Sequence, residues 1–249
     1  MKNHKPTLSL VILCFREGDY IPIYVRAVQE SLVRHDIPHQ LILVANYFCG
    51  DAAEQDSSSR IVRELAVNDT SIVPITREKR RGEKMGWDLR TGLAVATGDI
   101  VGFTDGDGQV EAEDMARAYN LIVERGFDAV FGRRVAREDG AWRAFTSRAY
   151  NILFRVFFPH VSIHDVNGKP KLFTKKKLLE IKLSSNNWFA DSEMVIQSVN
   201  RRFSIGILDT VFRANTRRPS TTSPWSVVES IYNLIQYRLK MWFNRASIL

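Results

Sequence analysis

Residues 8–15, Leu-Ser-Leu-Val-Ile-Leu-Cys-Phe, form an almost unbroken apolar run. A run this short and continuous reads as a strand covered on both faces, as in a parallel sheet. A helical pattern follows over 21–34, a second buried strand over 40–45, a helix over 57–65 and a third short strand over 71–75. Strand and helix alternating in this way define a doubly wound α/β sheet, whose ligands bind at the carboxyl ends of the strands. Arg16, Glu17, Asn46 and Asp105 all fall at such ends. Further along, the pattern predicts helices over 87–96 and 113–125, strands over 99–104 and 128–131, and a helix over 192–200 preceded by Asp191 as a candidate N-cap.

The 249 residues and their 45% hydrophobic content suit one large α/β domain with a real core. It is expected to span 1–224, with an amphipathic C-terminal helix over 225–249. A formal charge of +7 favours an anionic partner: a nucleotide, a lipid phosphate, a phospholipid surface or nucleic acid. The basic residues are scattered among strand-end loops without a nucleic-acid-binding motif, so nucleic acid is set aside. Cys14 and Cys49 have no metal-ligand spacing and read as reduced thiols of a cytoplasmic protein. The opening residues lack the pattern of a signal peptide, and no apolar run approaches the roughly 18 to 20 residues that span a bilayer. The expected location is cytoplasmic, with peripheral contact at the inner face of the membrane as an option.

The densest chemical signal lies at 98–109, Gly-Asp-Ile-Val-Gly-Phe-Thr-Asp-Gly-Asp-Gly-Gln. If the backbone stays extended past Thr104, Asp105, Asp107 and Gln109 point the same way. Glycines between them let an anionic ligand or its metal come close. Mg²⁺ or Mn²⁺ shared with a diphosphate needs such a set, because these ions take one or two carboxylates and draw other oxygens from phosphate and water. The competing reading is an Asp-Gly turn between strand and helix. Upstream, the basic segment 77–87 sits just ahead of a helix N-terminus, which suits either an anion or a solvated loop.

Taken together, the ordered block Gly82-Glu83-Lys84, Arg90-Thr91-Gly92-Leu93, Ala96-Thr97-Gly98-Asp99-Ile100 and Asp105-Gly106-Asp107-Gly108-Gln109 resembles the family 2 inverting glycosyltransferases of the GT-A fold. The resemblance covers roughly 7–220 and is particularly to the branch containing dolichol-phosphate mannose synthases and bacterial polyprenyl-phosphate sugar transferases. It implies a mostly parallel Rossmann-like sheet flanked by helices, and a nucleoside-diphosphate sugar as donor. It also implies a Mg²⁺ or Mn²⁺ ion on Asp105, Asp107 and Gln109. Cys14-Phe15-Arg16-Glu17-Gly18 matches the first loop, placing Phe15 and Glu17 beside the nucleotide. Asn46 stands where the family has an aspartate that reads the base, so UDP, GDP and dTDP donors all remain open. Gly132-Arg133-Arg134 resembles the family's Gly-Ser-Arg, making Arg134 the better phosphate contact, and Lys84 could add positive charge.

The acceptor half is expected around Arg148 and at 165–173, where Lys169-Pro170-Lys171-Leu172-Phe173 replaces the Gly-Phe-Lys-Leu-Phe of many relatives, aligning Lys171. Asp191, in Asp191-Ser192-Glu193, inherits the role of general base if the acceptor is a hydroxyl. A lipid phosphate is already anionic and needs no base. Arg217, in the stretch that closes the domain, is expected near acceptor phosphate. The apolar-basic segments 150–158 and 225–249 suit contact with an anionic membrane surface, packing on the domain, or a homodimer contact. Transfer to a polyprenyl phosphate is the leading expectation, a glycan or other hydroxyl acceptor the alternative. A catalytically silent sugar-nucleotide-binding protein is the reading of another class.

Overall fold

The computed structural model describes residues 6–48, 57–215, 217 and 224–243. In chain order the elements are β1 (Leu8–Leu13), α1 (Ile21–Arg34), β2 (His39–Val44), β3 (Tyr47–Phe48), α2 (Ser58–Asn68), β4 (Ile72–Ile75), β5 (Glu78–Lys79), α3 (Met85–Leu93) and β6 (Ile100–Asp105). There follow α4 (Glu113–Arg125), β7 (Ala129–Arg137), α5 (Ala141–Phe157), β8 (Lys171–Thr174), α6 (Lys175–Leu178), α7 (Ala190–Asn200), β9 (Ile205–Phe212) and α8 (Pro224–Phe243). A seven-stranded sheet runs β4-β2-β1-β6-β8-β7-β9, and β3 pairs with β5 in a small second sheet. Every pairing in the large sheet is parallel except those of β8, which is antiparallel to β6 and β7.

Alternation along the strands divides the core into two layers. Leu10 and Ile12 of β1 face a cluster with α1, α2 and α4, where Val25, Val62 and Met115 are buried. Val11 and Leu13 face the opposite cluster, with Leu89 of α3, Phe154 of α5, Met194 of α7 and Leu234 of α8. Both faces of the sheet are covered, as the apolar strands require. Helix α8 therefore packs on the domain, through Leu234, Tyr237 and Met241.

The structure departs from the sequence expectations at several places. Strand β6 ends at Asp105 and the chain turns, with Gly108 at φ +70°, so the two-residue alternation does not run on to Gln109. Strand β7 continues to Arg137, placing Arg133 and Arg134 inside the strand and on opposite faces. Helix α7 starts at Ala190, with Phe189 as its N-cap, so Asp191 is inside the first turn. The short antiparallel β8 and the edge strand β9 have no counterpart in the expected elements. Cys14 is a buried thiol at the end of β1; Cys49, Arg218, Ser220 and Arg245 lie outside the described residues, as do the side chains of Trp225 and Phe243.

In the first turn of α4, Asp114 Oδ1 accepts a hydrogen bond from Arg117 at 2.6 Å, and its Oδ2 has no hydrogen-bond partner. Burial pushes this carboxyl up to about 6, with Arg117 opposing and Glu111 and Glu113 assisting. Since the folded state binds the proton more tightly, this group's stabilising contribution falls as pH rises from about 4 to about 6 and is level above that. Asp114→Asn is expected to gain stability over wild type at about pH 7.5 by on the order of 1 kcal/mol more than at about pH 4.5. Melting curves of both proteins at the two pH values check this; an equal difference at both would refute it.

Candidate active site

The parallel strands end on one edge, and that edge carries the titratable groups. At the tip of β6, Asp105 is part exposed and Asp107 is buried. Asp107 Oδ1 accepts the Gln109 backbone N–H at 3.0 Å, which closes the turn. The buried Gln109 side chain donates from Nε2 to the Arg213 carbonyl at 2.8 Å, and the Arg213 N–H donates back to the Gln109 carbonyl at 2.8 Å. These bonds pin the segment after β9 against the acidic turn. Arg217 lies there too, with Nη2 donating to the Asp107 carbonyl and its guanidinium over the Tyr20 ring. Among the described residues no three His, Cys, Asp or Glu side chains form a metal cage. Two carboxylates on a turn, one opening to solvent, fit a hard ion that completes its shell from phosphate and water.

Behind Asp105 runs a buried chain of ion pairs. Lys169 Nζ stands 3.2 Å from Asp105 Oδ2 and 3.0 Å from Asp191 Oδ2. Lys171 Nζ donates to Asp191 Oδ1 at 2.6 Å and to the Gly168 carbonyl at 2.9 Å. Burial alone would raise the Asp191 carboxyl, but the Lys169 and Lys171 charges outweigh it and hold it below the usual carboxylate range. Burial likewise disfavours the Lys169 ammonium, and the attraction of Asp105 and Asp191 reverses that, raising it above the ordinary lysine value.

Arg134 anchors the next layer. Its Nε and Nη2 donate to Asp165 Oδ2 and Oδ1 at 2.8 and 2.6 Å, and its backbone N–H also donates to Asp165 Oδ2 at 2.9 Å. Burial would raise Asp165, and the Arg134 fork holds it low. Arg133, on the outer face, pairs instead with Asp209 of β9 at 2.6 Å. The loop before β8 is seated here by two glycines. A Cβ on Gly132 would lie 2.1 Å from the Lys169 carbonyl oxygen, and one on Gly168 would lie 1.9 Å from the Gly132 carbonyl oxygen. Only glycine at both positions lets the two backbones touch. Arg148 is on the exposed side of α5, one residue from Ser147, whose Oγ accepts from Arg134 Nη2 at 3.3 Å.

At the other end of the edge, Phe15 meets Phe48 edge-on with centroids 5.9 Å apart, and Lys79 Nζ lies 3.7 Å from the Phe15 centroid. Asn46 is fully buried: Nδ2 donates to Asp88 and Thr91 at 2.8 and 3.1 Å, and Oδ1 accepts the Arg77 N–H at 2.7 Å. Lys79 donates to the other oxygen of Asp88 at 2.9 Å. Asn46 is thus committed to the protein, and the surface beside it is aromatic. The Glu17 N–H donates to Ser58 Oγ at 3.1 Å. Lys84 Nζ pairs with Glu229 of α8 at 2.6 Å. Sequence reasoning singled out neither Lys169 nor Lys79, Phe48, Asp88 and Glu229; the Lys-Pro that replaces Gly-Phe was the one visible signal for Lys169.

The fold is that of the GT-A glycosyltransferases. Mannosyl-3-phosphoglycerate synthase from Rubrobacter xylanophilus superposes with a TM-score of 0.71 at 15% identity, over 98% of this chain and 76% of that one. Glucosyl-3-phosphoglycerate synthase from Mycobacterium tuberculosis, in complex with Mn²⁺, UDP and glucosyl-3-phosphoglycerate, superposes at 0.65 with 16% identity, over 94% and 80%. Within that fold the chain belongs to Glycosyl transferase family 2, whose profile matches residues 9–187. Among curated proteins it is similar to undecaprenyl-phosphate 4-deoxy-4-formamido-L-arabinose transferases. The Pseudomonas syringae pv. syringae protein is 26% identical over 145 residues, 58% of this chain and 41% of that protein. The Pseudomonas fluorescens protein is 28% identical over 148 residues, 58% and 40%. The chain thus spans about two fifths of the length of these relatives.

Removing one partner of a buried pair strands the other charge, which costs about 3 to 5 kcal/mol. Asp165→Ala is therefore expected to lower stability by about 3 kcal/mol in urea titrations, and the double variant Asp165→Ala/Arg134→Met by less. A double variant as unstable as the single one would show that the stranded guanidinium is not the cause.

Proposed function

We propose that this chain is a metal-dependent inverting glycosyltransferase that moves a sugar from a nucleoside-diphosphate sugar to a polyprenyl phosphate. The family and the fold support the donor half of this reading, and the relatives' names support the acceptor class. The observation that carries the acceptor is Asp191. Both of its oxygens accept bonds from buried lysine ammonium groups, and its carboxyl is held low. A carboxylate so stabilised is a weak base, whereas a phosphate brings its own negative charge and gives up no proton.

Asp105, Asp107 and Gln109 are the residues that would hold Mg²⁺ or Mn²⁺. When bound, the ion stabilises the charge that grows on the departing diphosphate. The chain's own side chains do the rest. Phe15 and Phe48 offer an aromatic surface at the nucleotide end, and Arg217 lies over the acidic turn. Lys171 and Lys169 keep Asp191 ionised as their counter-ion. An acceptor phosphate oxygen then attacks the anomeric carbon from the face opposite the diphosphate, which leaves with the bonding electrons, inverting the centre.

Two helices support a meeting with that acceptor at an anionic bilayer. On α8, Val228, Ile231, Tyr232, Ile235 and Leu239 are exposed at helical spacing, opposite the buried Leu234 and the half-buried Tyr237, with Arg238 and Lys240 flanking the stripe. On α5, which packs beside α8, Ile152 and Val156 are exposed beside Arg148 and Arg155. Helix α5 carries no carboxylate, and the one acid of α8, Glu229, is taken by Lys84. Apolar stripes flanked by cations suit the headgroup boundary of an anionic membrane. Among the described residues no helix is long and apolar enough to cross one.

The direct test incubates the protein with Mn²⁺, a panel of UDP-, GDP- and dTDP-sugars and undecaprenyl phosphate in detergent, with a glycan acceptor in parallel. Glycosylated lipid phosphate is expected, and Asp107→Ala should reduce it on the order of 100-fold with unchanged circular dichroism. Transfer to the glycan alone would assign Asp191 to base duty instead. For the membrane surface, Ile235→Glu/Leu239→Glu is expected to lose most co-sedimentation with phosphatidylglycerol vesicles. Unchanged sedimentation refutes the bilayer, and a wild-type homodimer broken by the same variant would give the stripe to a second copy.

A further inference from the structure

Lys169 links two carboxylates that come from separate elements, Asp105 of β6 and Asp191 of α7. Its side chain is 8% exposed, and its ammonium bridges Asp105 Oδ2 and Asp191 Oδ2 at 3.2 and 3.0 Å. It is not a roaming surface lysine. Its backbone is clamped to β7 by the Gly132–Gly168 approach and by the Gly132 N–H, which donates to the Pro170 carbonyl at 2.8 Å. Asp191 is already served by Lys171 at 2.6 Å, so the second ammonium leaves Asp105, 30% exposed, as the point where this buried chain of charges opens outward.

That arrangement sets up a competition. A divalent ion on Asp105 and Asp107 would share Asp105 with a fixed ammonium a few ångströms away, and like charges so close in a partly dry site repel strongly. A diphosphate brings the negative charge that relieves the repulsion. We propose that Lys169 is a positioning residue that makes divalent-cation binding at Asp105 conditional on the diphosphate of the donor. The inference rests on the reading of Asp105 and Asp107 as the metal carboxylates. It gives a role to the buried lysine between Asp105 and Asp191: the ion and the donor enter as one unit, and a metal ion alone is held poorly.

The test reads Mn²⁺ directly, by electron paramagnetic resonance of the free ion, on the full chain without any sugar donor. Wild type is expected to bind Mn²⁺ weakly by itself and at least tenfold more tightly with UDP or GDP. Lys169→Met, which keeps the unbranched stem and removes the charge, should bind Mn²⁺ alone at least tenfold more tightly than wild type. Lys169→Arg should behave as wild type. If Lys169→Met fails to fold, Lys169→Gln is measured in its place with the same expectation. Mn²⁺ binding that is abolished by Asp105→Asn but indifferent to loss of the Lys169 charge overturns this proposal alone. Binding indifferent to Asp105→Asn in every variant overturns the metal reading and the proposal with it.

Discussion

A single buried carboxylate holds the catalytic half of this protein together. Asp191 sits in the first turn of α7, takes Lys171 from the start of β8 and Lys169 from the preceding loop, and through Lys169 reaches Asp105 at the end of β6. Three segments, carrying Asp105, Lys169 with Lys171, and Asp191, converge as two anions and two cations. In a site this dry, neither sign is tolerable without the other. The aromatic core beneath, where Phe103 and Phe131 flank Lys171 in register, supplies the low dielectric that makes the pairing strong.

The doubly wound half was legible because its physics is local. Apolar runs at 8–15 and 40–45 had to be strands buried on both faces, and they are β1 and β2, side by side and parallel. The acidic turn was legible as an Asp-Gly turn: Gly108 takes a left-handed conformation, and the Asp107 carboxylate folds back on the Gln109 N–H, which ends the alternation expected past Thr104. The acceptor half was less legible. Strand β8 is four residues beginning with lysine, too short and too polar at its start to stand out, and it exists because β6 and β7 leave a gap for it. Strand β9 alternates buried and exposed residues at the edge of the sheet, a pattern that an isolated reading of 205–212 did not separate from its surroundings.

The departures from the common family pattern cluster and share a physical theme. Where an aspartate would read the base, Asn46 is tied into Asp88, Thr91 and Arg77, and the neighbouring surface is Phe15, Phe48 and the Lys79 ammonium. Where the resemblance leads one to expect a glycine and an aromatic before Lys171, Lys169 and Pro170 stand, adding a cation. Both positions are taken up by internal partners, Asn46 by Asp88, Thr91 and Arg77, and Lys169 by Asp105 and Asp191.

The reversed direction of β8 has a consequence for how such an enzyme changes over time. Because β8 alone runs against its neighbours, its first residue, and not its last, lies toward the edge that carries Asp105, opposite Phe103 of β6 and Phe131 of β7. The loop before Lys171 is thus held by the Gly132–Gly168 contact, by Lys169 on Asp105 and Asp191, and by the pairings of Leu172 and Phe173. A change in that loop is felt at Asp105 as well as at Asp191, so the two carboxylates cannot drift independently.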